Sequence, residues 1–149
     1  MDIDRLKHSH SVAKKMQEIG SNMGLEKGEL EDLFVLGLNH DVGYEFSKDG
    51  VDHNKIGGVI LRKSGYKYWR EVYYHGMLTN EYDSLYLKIL NQADMQIDKY
   101  GNDVGYEKRL EDIKGRYGED SIVYKRCVEM IENIEGQNCN KRESDEIDR

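Results

Sequence analysis

The segment LNHDVGY, residues 38–44, places a histidine and an aspartate side by side at the end of a helical pattern. Leu33 and Leu36 precede His40 by seven and four residues, which is the spacing of one buried helix face. This periodicity turns His40 toward the interior, and Asp41 follows it directly. Both groups lose water on burial, which is unfavourable unless a partner compensates. The pair is therefore a candidate for a buried polar site.

Other histidines and an aspartate occupy similar apolar faces. His8 is followed by Val12 and Met16 at spacings of four and eight, whereas His10 is followed by Lys14 and Gln17 at four and seven. We therefore predict that His8 points inward and that His10 faces water. The same reasoning gives an interior set of six residues: His8, His40, Asp41, His53, His75 and Asp94.

Each member of this set also has a purely structural interpretation. A single histidine on an apolar face is more often a hydrogen-bonded core residue than a metal ligand, and a single interior aspartate is usually a helix cap or an ion pair. The complete set favours a metal, because the chain supplies few inward-facing cations that would neutralise Asp41 and Asp94.

Composition limits the class of protein. A chain of 149 residues with 38% hydrophobic residues predicts one domain with an adequate core. The net charge of −7, with no Lys/Arg run longer than two, argues against binding along a nucleic-acid duplex. No apolar run approaches the ~20 residues that span a bilayer, and the polar start MDIDRLKHSH is unlike a signal peptide. We expect a cytoplasmic protein without membrane association.

The remaining pattern predicts helices joined by short glycine-containing turns, and strand-like alternation is nearly absent. Asn80 is the predicted N-cap of the helix that carries Asp94, with Asp83 in its first turn. The charged segment 135–149 is predicted to be a disordered tail after a domain of residues 1–134. The predicted helices lie at residues 3–19, 28–40, 53–63, 66–77, 81–98, 106–116 and 120–134.

The two cysteines are twelve residues apart and form no metal or redox motif. Cys127 shares a helical face with Val123 and Met130, which predicts a small core residue, and Cys139 lies in the tail. A disulfide is not expected in a reducing compartment.

The order of the polar residues is similar to a known signature. His8 in KHSHSVA, His40-Asp41 in LNHDVGY and Asp94 in QAD resemble the HD-domain superfamily of metal-dependent phosphohydrolases. His53 in DHNKIGG and His75 in VYYHGML resemble the two further histidines of members that hold two metals. The resemblance covers about residues 4–98 and extends weakly through RLEDIKGRYGED, residues 109–120. It implies an all-α, HD-type helical domain of about six to seven helices.

The resemblance also implies a ligand set. His8, His40, Asp41 and Asp94 would bind one metal, and Asp41 would bridge to a second metal held by His53 and His75. Imidazole and carboxylate ligands suit one or two ions of Fe, Mn, Zn, Co or Ni. The implied reaction is attack by a metal-activated water on a phosphate ester or anhydride of a small phosphorylated metabolite or nucleotide, with Asp41 as the central catalytic residue. Two alternatives are a non-catalytic, metal-containing nucleotide-sensing module and a di-iron oxygenase on the same fold.

Substrate contacts are less well defined. Many two-metal members carry a lysine shortly after the His-Asp pair, whereas this chain has Tyr44, which can donate a hydrogen bond or stack but brings no charge. The segment RKSGYKYWR, residues 62–70, offers Lys63, Lys67 and Arg70 as phosphate contacts, although a solvated surface is the favoured interpretation.

Two further groups of residues are candidates near the site. Glu45, Asp49 and Asp52 could donate a proton to the leaving group, although loop carboxylates are mostly solvated. Aromatic residues that cluster in sequence could form a nucleobase platform, although helix packing or a homodimer surface is favoured. These aromatic residues are Tyr66, Tyr68, Trp69, Tyr73 and Tyr74.

Overall fold

The computed structural model describes residues 2–48 and 52–147, with side chains described as far as residue 136. Seven α-helices follow one another in this part of the chain, so the all-α prediction is confirmed. A 3-10 turn, Tyr44–Phe46, lies between the second and third helices. The helices are α1 (Ile3–Asn22), α2 (Lys27–Asn39), α3 (His53–Lys63), α4 (Trp69–Tyr74), α5 (Leu85–Asp94), α6 (Gly105–Tyr117) and α7 (Ile122–Ile147).

The boundaries of α1, α2, α3 and α6 lie within three residues of the prediction, whereas α4 and α5 are shorter. The prediction of Asn80 as the N-cap of α5 is wrong. Ser84 caps this helix, because its backbone is extended and its Oγ accepts a hydrogen bond from the amide of Leu87 at 3.0 Å. Asp83 consequently precedes the helix instead of lying in its first turn. At the other end, Asp94 is the last residue of α5.

The last helix differs from the prediction in length. The α7 backbone continues to Ile147, past the predicted end at residue 134. The division of the chain into a domain and a disordered tail after residue 134 stays a prediction, and the side chain of Cys139 lies outside the described residues. Among the described helices, none combines the length and the apolar composition that crossing a membrane requires.

The core has two parts. The larger part joins α1, α2 and α5, where Val12, Met16, Leu33 and Leu90 are fully buried, as the predicted helical faces require. Each such side chain contributes about 1.5–3 kcal/mol by leaving water. A second cluster lies under α7, and it consists of Met95, Met130, Ile131 and Ile134, with Cys127 packed against it as predicted.

Two glycines allow the helices to approach closely beside the polar set. A Cβ at Gly37 would lie 2.5 Å from Cα of Ala13, so α1 and α2 cross almost backbone to backbone. A Cβ at Gly43 would collide with the backbone of His53 and Gly57, so the turn after α2 lies directly on the first turns of α3. These contacts bring the chain segments of His8, His40, Asp41 and His53 together.

Candidate metal centre

The six residues of the predicted interior set converge from five chain segments. His8 lies in α1, His40 and Asp41 follow α2, and His53 opens α3. His75 follows α4 directly, and Asp94 ends α5. Five of the six are buried, and the His53 side chain is 24% exposed at the rim of a cavity. His10 is exposed, as its helical phase predicted.

Three of the histidines are held in one orientation by backbone carbonyls. The Nδ1–H groups of His40 and His75 donate to the carbonyl oxygens of Gly37 and Val72, each at 2.6 Å. The Nδ1–H of His8 donates to the carbonyl oxygen of Asp98 at 2.9 Å. Because a carbonyl oxygen can only accept, Nδ1 carries the proton, and a neutral ring then presents a lone pair at Nε2. Metal-binding histidines in proteins are commonly anchored in this way.

The Nε2 atoms face carboxylate oxygens at short range. His8 Nε2 lies 2.9 Å from Oδ1 of Asp94 and 3.5 Å from Oδ2 of Asp41. His40 Nε2 lies 3.3 Å and 3.4 Å from the same two oxygens, yet this buried atom has no hydrogen-bond partner within the described residues. A buried lone pair facing carboxylates is unfavourable unless a proton or a metal cation lies between them.

The spacing of these donor atoms fits a metal ion. Two donors that each lie about 2.1 Å from one metal, at octahedral or tetrahedral angles, are about 3.0–3.4 Å apart. Three groups of donors meet within 4.8 Å: His8 with His40 and Asp41, His40 with His75 and Asp94, and Asp41 with His53 and His75. The residues present could therefore hold a metal.

The two oxygens of Asp41 face different histidines. Oδ2 faces His8 and His40, whereas Oδ1 lies 3.4 Å from His53 Nε2 and 3.8 Å from His75 Nε2. The Nε2 atoms of His53 and His75 are themselves 3.2 Å apart. Arg5 donates to Oδ2 of Asp41 at 3.0 Å and fixes the rotation of the carboxylate.

Burial and the neighbouring charges shift the pKa values of four residues in the cluster. Burial raises the pKa of Asp41 and of Asp94, but the neighbouring histidines outweigh burial and hold both below their usual range. Burial lowers the pKa of His40, but Asp41 and Asp94 outweigh it and raise this pKa to about 9. His75 shifts the other way, because burial and the nearby His53 and His40 lower its pKa to about 4.

The cluster opens into a cavity of about 90 Å³ that is continuous with open solvent. Its walls combine the polar cluster with apolar side chains such as Ile113 and Val123, and with two tyrosines, Tyr44 and Tyr117, whose hydroxyls are 2.8 Å apart. Four arginines also line it: Arg5, Arg109, Arg116 and Arg126.

The comparisons with known proteins agree with this arrangement. The family model described as HD domain matches residues 5–135. The chain belongs to the HD domain family. Searches of curated proteins and of solved structures returned no match. Membership in the HD family indicates a metal-dependent hydrolase type of protein, and it agrees with a His/Asp cluster that could hold a divalent metal.

The HD domain structure places the candidate substrate cations outside the cavity lining, which agrees with the favoured solvated-surface interpretation. Lys63, Lys67 and Arg70 are exposed and do not line the cavity. The reason is the length of α3: Lys63 lies ten residues after His53, or about 15 Å along the helix axis. The segment 62–70 therefore forms the far end of a hairpin whose other end carries His53 and His75. Tyr44 does line the cavity, under the guanidinium of Arg5 at 3.6 Å from the ring centroid.

The other described candidates do not line the cavity either. Glu45 and Asp52 are exposed and are not among its lining residues, and Asp49 lies outside the described residues. The aromatic residues that cluster in sequence pack on one another and on neighbouring rings, for example Tyr68 on Tyr86 and Tyr74 on Tyr82, and none of the five lines the cavity. This agrees with the helix-packing interpretation.

Sequence reasoning missed the arginines of the cavity, although part of their signal is present. Arg5 precedes His8 by three residues and so shares its helix face. Arg109, Ile113 and Arg116 follow one another at spacings of four and three, which also places them on one face. Nothing in the local pattern indicates that α6 turns this face toward the metal centre.

Proposed function

We propose that this HD domain is a metal-dependent phosphohydrolase that cleaves a phosphate ester or anhydride of a small phosphorylated metabolite or nucleotide. The observation that carries the proposal is the shared orientation of His8, His40 and His75. Their Nδ1 atoms are anchored on backbone carbonyls, and their Nε2 atoms converge with Asp41 and Asp94 at the floor of an arginine-lined cavity.

We assign His8, His40, Asp41 and Asp94 to one metal ion, and Asp41, His53 and His75 to a second. The division of the Asp41 oxygens between two pairs of histidines supports a bridging role for this carboxylate. Fe, Mn, Zn, Co and Ni all suit these ligands. Metal ions bound here would lower the pKa of water and neutralise phosphoryl oxygens.

The remaining residues of the cavity support water, and not a side chain, as the nucleophile. Among the described lining residues there is no serine or threonine. Burial raises the pKa of the Cys127 thiol to about 11, so the thiol is neutral and weakly nucleophilic at pH 7. Arg5 keeps Asp41 oriented, and its charge lies beside the position where a phosphoryl group would meet the cluster.

The test begins with the metal content of protein purified anaerobically, without chelator or affinity nickel. We expect close to two metals per chain and, with that metal, turnover of p-nitrophenyl phosphate or of nucleoside monophosphates. His10→Ala is the matched control, because His10 lies on the same helix as His8 but faces water. Absence of metal after reconstitution with Mn, Fe, Co and Zn would refute the proposal.

Turnover separates the proposed hydrolase from its alternatives. Metal-loaded protein that binds nucleotides without releasing phosphate would instead favour the sensing module. Consumption of oxygen that depends on substrate would favour the oxygenase.

A further inference from the structure

The four arginines of the cavity differ in the number of hydrogen bonds and ion pairs that their guanidinium groups form within the protein. Arg5 is bound to Asp41 Oδ2. Arg109 is buried, with its Nε donating to the carbonyl oxygen of Asp94 at 3.3 Å and its Nη1 to Asp112 at 3.1 Å. These two guanidinium groups have partners within the protein, so they position the metal centre from either side.

Arg116 and Arg126 have fewer partners within the protein, and Arg126 is exposed to solvent. Arg116 has a buried Nε without a hydrogen-bond partner within the described residues, and its Nη2 lies 3.6 Å from Asp112, which Arg109 already binds more closely. Arg126 forms no hydrogen bond or ion pair in the part of the chain that the structure describes. Both side chains nevertheless line the cavity.

The charge of the cavity therefore contrasts with that of the chain. The whole protein carries a net charge of −7. Within the cavity and its immediate support, four arginines stand against the three carboxylates Asp41, Asp94 and Asp112. Divalent metals at the cluster would enlarge the positive excess. A guanidinium with free donors beside such a site is suited to a phosphate or carboxylate, which it can bind with two parallel hydrogen bonds.

We infer that the substrate carries a second anionic group, apart from the phosphoryl group at the metal centre, and that Arg116 and Arg126 bind it. This inference rests on the proposed function, because it assumes that a phosphoryl group lies at the His/Asp cluster. The two arginines come from α6 and α7, so the C-terminal helices supply the specificity for this group. Apolar residues between the two ends, such as Ile113 and Val123, contact the uncharged part of the substrate.

Matched ligands test the inference directly. Glycerol 3-phosphate and 3-phosphoglycerate differ by a terminal carboxylate, and glucose 6-phosphate and 6-phosphogluconate give the same comparison over a longer span. Their dissociation constants are measured by calorimetry on the metal-loaded protein. We expect the doubly anionic member of at least one pair to bind roughly tenfold more tightly.

Single substitutions then assign the preference. Arg126→Gln and Arg116→Gln should each remove most of it while changing the affinity for the singly anionic ligand by less than twofold. Arg70→Gln is the control, because Arg70 is an exposed arginine outside the cavity, and it should leave the preference intact. Arg126 has no described polar partner, so its substitution removes no described hydrogen bond or ion pair.

The outcomes separate this inference from the proposed function. Equal affinity within both ligand pairs would overturn the inference, and so would a preference for the doubly anionic ligand that survives both Arg116→Gln and Arg126→Gln. In either case, binding of orthophosphate to the metal-loaded protein would still support the proposed function. Loss of the preference in Arg70→Gln alone would also overturn it. Protein that takes up no metal, or that binds no phosphate when loaded, would overturn both.

Discussion

Substitution of Gly37 by alanine tests the contact that brings the two sides of the metal centre together. A Cβ at this position would lie 2.5 Å from Cα and 2.8 Å from the amide nitrogen of Ala13. Carbon atoms pack at about 3.5–4.0 Å, so α1 and α2 must separate by roughly 1 Å or more. Such overpacking costs about 1–3 kcal/mol, against about 0.5–1 kcal/mol that alanine gains over glycine within a helix.

We therefore expect the free energy of unfolding of Gly37→Ala to fall by about 1–2 kcal/mol in urea denaturation. Gly28→Ala is the matched control on the same helix, because a Cβ there would meet nothing within 4 Å. This variant should be as stable as the parent protein, or up to about 1 kcal/mol more stable.

The same variant should also bind metal less tightly. The carbonyl oxygen of Gly37 accepts the Nδ1–H of His40, and His8 lies on the helix that must move. Disturbing such a supporting hydrogen bond typically costs 10–100-fold in metal affinity, so we expect a loss of about tenfold. Equal stability and equal metal affinity in Gly37→Ala and Gly28→Ala would refute the argument that this helix contact builds the site.

Three further predictions concern the cluster and the loop beside it. Asp41→Ala should lose both metals, because both oxygens of this side chain face histidines. His75→Ala should lose mainly one metal. Elemental analysis of each variant distinguishes a shared bridging carboxylate from two independent sites. Because the pKa of His40 is raised to about 9, a metal that binds at neutral pH must displace a proton from this ring. The logarithm of the metal association constant should therefore rise by about one per pH unit and level off near pH 9. A metal affinity that calorimetry finds constant from pH 7 to 9 would contradict this. Glu71→Ala should lower the free energy of unfolding by about 1–2 kcal/mol. The reason is that buried Glu71 accepts hydrogen bonds from Tyr82 at 2.6 Å and from Ser84 at 3.2 Å. Thermal unfolding measures the effect, and Glu71→Gln, which keeps an acceptor, is the comparison.

The sequence identified five of the cluster residues because each departs from an apolar helix face, and Asp41 because it directly follows His40. Asp94 illustrates the signal: it shares a face with Leu87 and Leu90, where a helix normally places leucine, and the structure buries all three. Periodicity says which way a side chain points within its own helix. It therefore predicted an interior polar set, and the structure brings its members within a few ångströms of one another.

Position between His53 and His75 in sequence makes Lys63, Lys67 and Arg70 candidates for phosphate contact only, and the structure exposes all three, as the favoured solvated-surface interpretation predicts. The helices α3 and α4 form a hairpin, and the turn that joins them lies at the end opposite to His53 and His75. Residues near this turn therefore lie away from the histidines. The cavity arginines of α6 and α7 lie fifteen or more residues beyond Asp94 in sequence. Their approach depends on how these helices pack on the second core cluster, which no local pattern encodes.

The partners of the buried carboxylates explain why we assign Arg116 and Arg126 to substrate recognition and not to the stability of the cluster. Arg5 already offsets Asp41, Arg109 binds Asp112, and the carboxylate of Asp94 faces His8 and His40, so these carboxylates have partners without Arg116 and Arg126. Leaving a guanidinium donor buried and unpaired costs about 1–3 kcal/mol, and Arg116 Nε is such a donor. The buried Arg116 Nε adds no stability to the free protein, and an anion that reached it would bind a donor that has already lost its water. Arg126 is exposed and has no described polar partner, so both variants should alter ligand preference more than they alter folding.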